Sequence, residues 1–126
     1  MLALKLTNPS GYTLNGPDGP ILLHEGVVVR AKTITGTPHV SISCTYYAVH
    51  AYDSLAQMQK YDVTHCGHGS RGVVWLVTLE DATCKGSASD KLVGTSYTVL
   101  RRLGRLAEMT EELVASAMAG ESKGME

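Results

Sequence analysis

Apolar and polar residues alternate from the start of the chain, with Leu2, Leu4 and Leu6 separated by Ala3, Lys5 and Thr7. Period two marks a half-buried strand, and Asn8-Pro9-Ser10-Gly11 ends it with turn-forming residues. Tyr12 to Leu14 is a short second strand candidate. Asn15-Gly16-Pro17-Asp18-Gly19-Pro20 predicts an exposed loop, because each proline removes a ladder donor. Ile21 to His24 and Val27 to Ala31 flank Glu25-Gly26 and read as a hairpin, although glycine stands second in the break and not first. After a loop over Thr33 to Pro38, His39 to Tyr47 shows the cleanest alternation. Val40, Ile42, Cys44 and Tyr46 form one face, and Ser41, Ser43, Thr45 and Tyr47 the other.

Asp53-Ser54 predicts the cap of a short helix over Leu55 to Lys60. A glycine-rich loop, Gly67 to Gly72, precedes the continuous apolar run Val73 to Leu79, the pattern of a strand covered on both faces. Lys85 to Lys91 is small and polar and reads as a loop. From about Tyr97 the spacing changes. Val99, Leu103, Leu106, Thr110, Leu113 and Ala117 recur in steps of four and three, one face of a helix. Gly104 interrupts it and Thr110-Glu111-Glu112 resembles a fresh start, so two shorter helices are an alternative to one. Gly120 is the predicted stop, with 121–126 a frayed tail behind a single domain over 1–120.

These elements predict an α+β fold, mainly an antiparallel sheet or small barrel with one short helix and a C-terminal amphipathic helical segment. That segment is the natural cover for an open sheet face or edge, in cis or across a dimer. Its stripe is long for one small sheet, so a homo-oligomer is expected.

Composition narrows the setting. A 126-residue chain with 44% apolar and 18% charged residues has the make-up of one folded domain. At a net charge of −1, no global field draws it to nucleic acid or anionic lipid, and neither is an expected partner. The longest apolar run, Val73 to Val77, is far short of a membrane span, and Met1 to Leu6 is too short and too alternating for a signal peptide. Cys44, Cys66 and Cys84 are odd in number and lack paired spacing, which predicts a reducing, cytoplasmic setting.

The chemistry-bearing segment is Thr64-His65-Cys66-Gly67-His68-Gly69-Ser70-Arg71-Gly72. Its glycines let the backbone approach another group closely. Three uses compete with a plain surface turn. His65, Cys66 and His68 are candidate zinc ligands, with His50 or His24 as a fourth, though the spacing matches no zinc signature. His68, Ser70 and Arg71 with neighbouring amides suit a phosphate, though the order is neither a P-loop nor a dinucleotide fingerprint. His65 or His68 is a candidate general base. The stretch Gly67 to Arg71 resembles a Gly-His-Gly-Ser-Arg segment of tetrapyrrole chelatases. There a helix of a Rossmann-like sheet follows, whereas here Val73 to Leu79 reads as a strand, so no role is carried over.

Arg101, Arg102 and Arg105 crowd the start of the predicted C-terminal helix, ahead of Glu108, Glu111 and Glu112. Helix dipoles favour the reverse order, but a helix start with arginines also attracts phosphate. The plain alternative is an Arg105–Glu108 pair on a solvated face. Tyr47, on the polar face of its strand, is free to stack on a ligand or partner. The reading is a binding protein that captures a phosphate-bearing small molecule or nucleotide through His68, Ser70, Arg71, Tyr47 and the three later arginines. Its alternatives are a small phosphoesterase or transferase using His65 or His68, metal-assisted or not, and a structural or inhibitory interaction module. No cofactor is assigned.

Overall fold

The computed structural model describes residues 1–13, 20–30, 49–61, 71–80 and 92–124. The predicted strand over His39 to Tyr47, residues 62–70, which hold most of the predicted glycine-rich loop, and all three cysteines lie outside them. The fold is α+β and mostly antiparallel sheet. In chain order the elements are β1 (Leu2–Thr7), β2 (Val28–Arg30), β3 (Val49–Ala51), α1 (Leu55–Tyr61), β4 (Val73–Glu80), β5 (Leu92–Gly94), β6 (Ser96–Arg105), a 3-10 turn (Leu106–Glu108) and α2 (Glu111–Gly124).

Four strands form one sheet in the order β1-β4-β6-β2, and β3 pairs with β5 in a second. Two further links join the sheets. Tyr52, just after β3, exchanges both backbone hydrogen bonds with Leu4 of β1 at 2.8 Å. Only Thr95 separates β5 from β6, so one nearly continuous run serves both sheets. Pairing therefore passes from β1 through β4 to β6, back along the chain to β5, across to β3 and home to β1, a barrel-like closure.

The apolar run of β4 has both faces covered, as its sequence predicts. Val73, Trp75, Val77 and Leu79 face a core shared with Ala3, Val49, Leu92, Tyr97 and Val99, roofed by Leu23 and Val29. Val74 and Leu76 face the other side, against Leu4, Leu6, Tyr52, the α1 residues Leu55 and Met58, and Leu106, Met109 and Val114. The helix α1 begins where the sequence places it. Ser54 Oγ accepts from Gln57 N at 3.2 Å, and Gln57 Oε1 accepts from Asp53 N at 2.9 Å, which satisfies amides at the open helix end.

The expected helix from Tyr97 is a strand. Residues 96–105 form β6, and helix begins only at Glu111, where Thr110 Oγ1 accepts from Leu113 N at 3.1 Å. Two β-bulges explain the misleading spacing. The register against β4 shifts between Val74 and Trp75 and again between Leu76 and Val77, leaving Leu103 and Leu100 as extra residues. A bulge sets two residues against one. Side chains facing the helical layer thus recur at Leu100, Leu103 and Leu106, every third residue, as on a helix. Gly104 is part of this device. It holds φ at +143°, and a Cβ there would stand 3.1 Å from the Met109 methyl carbon. Its presence is a signature of the bulge and not a flaw in a helix.

The hairpin expected around Glu25-Gly26 also differs. The chain does reverse there, with Val27 N donating to His24 O at 3.2 Å, but the arms part company. Ile21 and Leu23 bond to Thr13 and Gly11, whereas β2 pairs with Ser96 to Thr98 of β6. Gly26 holds φ at +88°, the left-handed conformation that such a turn asks of its second central residue. The helix α2 runs through Gly120 to Gly124, past the predicted stop. Its Val114 and Ala117 are buried within the chain, while Leu113 is exposed.

Tyr97 is the largest fully buried side chain, 2% exposed. Burial raises its pKa well above the usual value near 10. The unfolded chain then loses this proton first as pH rises, so stability contributed by Tyr97 is full below about pH 10 and falls above it. Absorbance at 295 nm should show one phenol ionising only as the protein unfolds at high pH. Its titration near pH 10 with the fold intact would contradict the packing.

Candidate functional site

The four arginines of the sequence analysis occupy strand and turn positions, not a helix start. Cross-strand partners in an antiparallel sheet project on the same face, so the register assigns each one. Arg105 lies opposite Val73 and Arg102 opposite Trp75, on the face of the barrel core. Arg101 lies opposite Leu76, on the face covered by the helices. There its Nε stands 3.6 Å from Glu121 Oε1 of α2. Such an exposed pair contributes little to stability, but it gives Arg101 a carboxylate partner and removes it from the group.

Arg71 joins Arg102 and Arg105 through the backbone. It precedes Val73 by two residues, and Leu106 N donates to Gly72 O at 2.7 Å, locking the approach to β4 against the end of β6. Arg102 and Arg105 face partners two residues apart on β4, so their Cα atoms stand about 7 Å apart by the strand rise. Arg71, Arg102 and Arg105 are all exposed, and none has an ion-pair partner among the described residues. The predicted Arg105–Glu108 pair is instead a bond from the Arg105 backbone amide to Glu108 Oε1 at 2.9 Å, which leaves the guanidinium free of it.

A tryptophan borders this edge. Trp75 is 6% exposed, and its Nε1–H donates to Thr7 Oγ1 at 2.9 Å. The Thr7 hydroxyl in turn donates to the Asn8 carbonyl at 3.1 Å. The indole leans toward Gly11. A Cβ on Gly11 would stand 3.7 Å from Trp75 Cζ2 and 3.3 Å from Leu22 Cδ1, so Gly11 lies close to both side chains. Leu22 pairs with Tyr12 across an antiparallel bridge, and both are outward, 47% and 42% exposed. The chain then turns at His24 to Gly26, where Gly26 N bonds to Val99 O, three residues before Arg102. Gly11, beside Tyr12, thus lies close to Leu22 and the Trp75 indole, and Trp75 faces Arg102 across the sheet. Sequence reading treats Tyr12 and Leu22 only as strand candidates. No periodicity marks a residue as outward on a short bridge of this kind.

The remaining predicted site residues, Tyr47, His65, Cys66, His68 and Ser70, lie outside the described residues. The two other histidines proposed as a fourth zinc ligand are placed. His24 is exposed in its turn with Nδ1 3.0 Å from Glu25 O, and His50 lies in β3, where its carbonyl accepts from Lys5 Nζ at 2.9 Å. Among the described residues no group of three His, Cys, Asp or Glu is arranged to hold a metal ion, and no helix is long and apolar enough to cross a membrane.

No protein-family model, curated protein or solved structure matches this chain.

Proposed function

We propose that the protein binds a phosphate-bearing small molecule at the end of the sheet where β4 begins and β6 ends. Arg71, Arg102 and Arg105 supply the charge. His68 and Ser70, within three residues of Arg71 in sequence, are further candidate ligands. The observation that carries this reading is the register. It sets Arg102 and Arg105 on one face at the end of β6, and the bond from Leu106 N to Gly72 O brings the Arg71 backbone beside them, with no carboxylate pairing any of the three among the described residues. Like charges held together are mutually repulsive, and an anion relieves that repulsion. Guanidinium forks match phosphate oxygens in geometry as well as charge.

Isothermal titration with inorganic phosphate and phosphomonoesters at low ionic strength tests this. Binding should weaken as salt screens the exposed arginines. Arg102→Ala and Arg105→Ala should each lower affinity about tenfold, the scale of one hydrogen bond to a charged group, while Arg101→Ala should leave it unchanged. Equal affinity in parent, R102A and R105A would refute the assignment.

A further inference from the structure

We infer that the ligand is a nucleotide unit whose base lies on the Tyr12–Leu22 pair while its phosphate meets Arg102 and Arg105. This rests on the phosphate site proposed above and adds a second contact to it. Tyr12 and Leu22 are a cross-strand pair of large apolar side chains left open on a fold in which Tyr52, Trp75 and Tyr97 are buried. An exposed apolar pair alone is ordinary. This one lies on the side of the arginines, because Gly11, next to Tyr12, is close to the Trp75 indole and Trp75 faces Arg102 in the sheet.

Thr7, Val73 and Arg105 are in register across three neighbouring strands, and strands lie about 4.8 Å apart, so Arg105 stands roughly 10 Å from Thr7 at the Cα level. Tyr12 follows Thr7 after the turn 8–11, which Asn8 Oδ1 holds by accepting from Ser10 N and Tyr12 N, each at 2.9 Å. The turn is braced, so the phenol ring is presented on a fixed backbone. A planar base can cover a tyrosine face and a leucine at once, and base–aromatic stacking tolerates any base identity. A simple phosphate or sugar phosphate would leave the pair uncovered.

The test is a heteronuclear NMR titration of the whole chain with three probes: inorganic phosphate, ribose 5-phosphate and adenosine 5′-monophosphate. The monophosphate should bind about tenfold more tightly than ribose 5-phosphate, the gain expected of one stacked base. It alone should shift the Gly11, Tyr12 and Leu22 amides. Tyr12→Ala should abolish the tenfold gain without changing ribose 5-phosphate binding, and Tyr12→Phe should retain it. A 5′-phosphorylated trinucleotide run alongside locates the source. Tighter binding than the monophosphate assigns a strand end, and equal or weaker binding assigns the free nucleotide. Equal affinity for ribose 5-phosphate and the monophosphate, with R102A and R105A still weakening both, would overturn the base contact and leave the phosphate site standing. Absence of binding by all three probes would overturn both.

Discussion

Gly94→Ala is expected to destabilise the fold by about 3 kcal/mol, the upper range for forcing extra volume into a packed site. A Cβ at Gly94 would lie 2.5 Å from the Glu80 carbonyl oxygen and 2.8 Å from both Cγ and Cδ1 of Leu79. The leucine can change rotamer, but the carbonyl cannot retreat. It accepts from Thr95 N at 3.1 Å, and that bond fixes the corner at which β5 becomes β6. Closure of the barrel depends on this corner, since it lets one run of chain pair with β3 on one side and β4 on the other. Chemical denaturation should show a lower midpoint with an unchanged slope, and the thermal midpoint should fall by roughly 10 °C. Gly120→Ala is the matched control. It lies in α2 with open space around it, so alanine should stabilise by up to about 1 kcal/mol. A Gly94→Ala protein as stable as the parent would mean that the corner is not built this way.

Trp75→Ala should cost about 4 kcal/mol, in the range for truncating a buried aromatic side chain. Trp75 belongs to the barrel core with Val73, Val77, Tyr97 and Val99, and its indole forms the wall against which Gly11 and Leu22 rest. Truncation opens a cavity and removes the N–H that reaches Thr7 Oγ1. Trp75→Phe should cost only about 1–2 kcal/mol, because most of the volume remains and the Thr7 hydroxyl keeps its bond to the Asn8 carbonyl. This is also the chain's single tryptophan, so intrinsic fluorescence reports on the core and the rim together. It should be blue-shifted in the native state and red-shifted on unfolding. Similar losses for the alanine and phenylalanine variants would show that packing around the indole is not what holds the rim.

The legible parts of the fold were those in which a residue's own period matches its environment. β1 alternates because one face meets the barrel core and the other the helical layer. β4 is continuously apolar because both of its faces are covered. Ser54 and Thr110 announced their helices because capping is a local hydrogen bond, independent of distant chain. β6 was illegible for the converse reason. Its bulges exist only because β4 lies beside it with a given register, and they turned a strand's spacing of two into a helical spacing of three. The arginines were therefore picked out as a cluster but set on the wrong element.

The amino-acid pattern by itself determined the α+β class, the strands β1 and β4 and the start of α1, and offered Thr110 as one of two possible starts for the last helix. Tertiary structure alone decided which face each arginine of β6 takes. Arg101 and Arg102 are adjacent in sequence, yet the strand pleat sends one toward α2 and Glu121 and the other to the barrel face beside Arg105. It also brought Arg71 to them and left Tyr12 outward on their rim, because register and bulges are relations between strands that no single segment encodes.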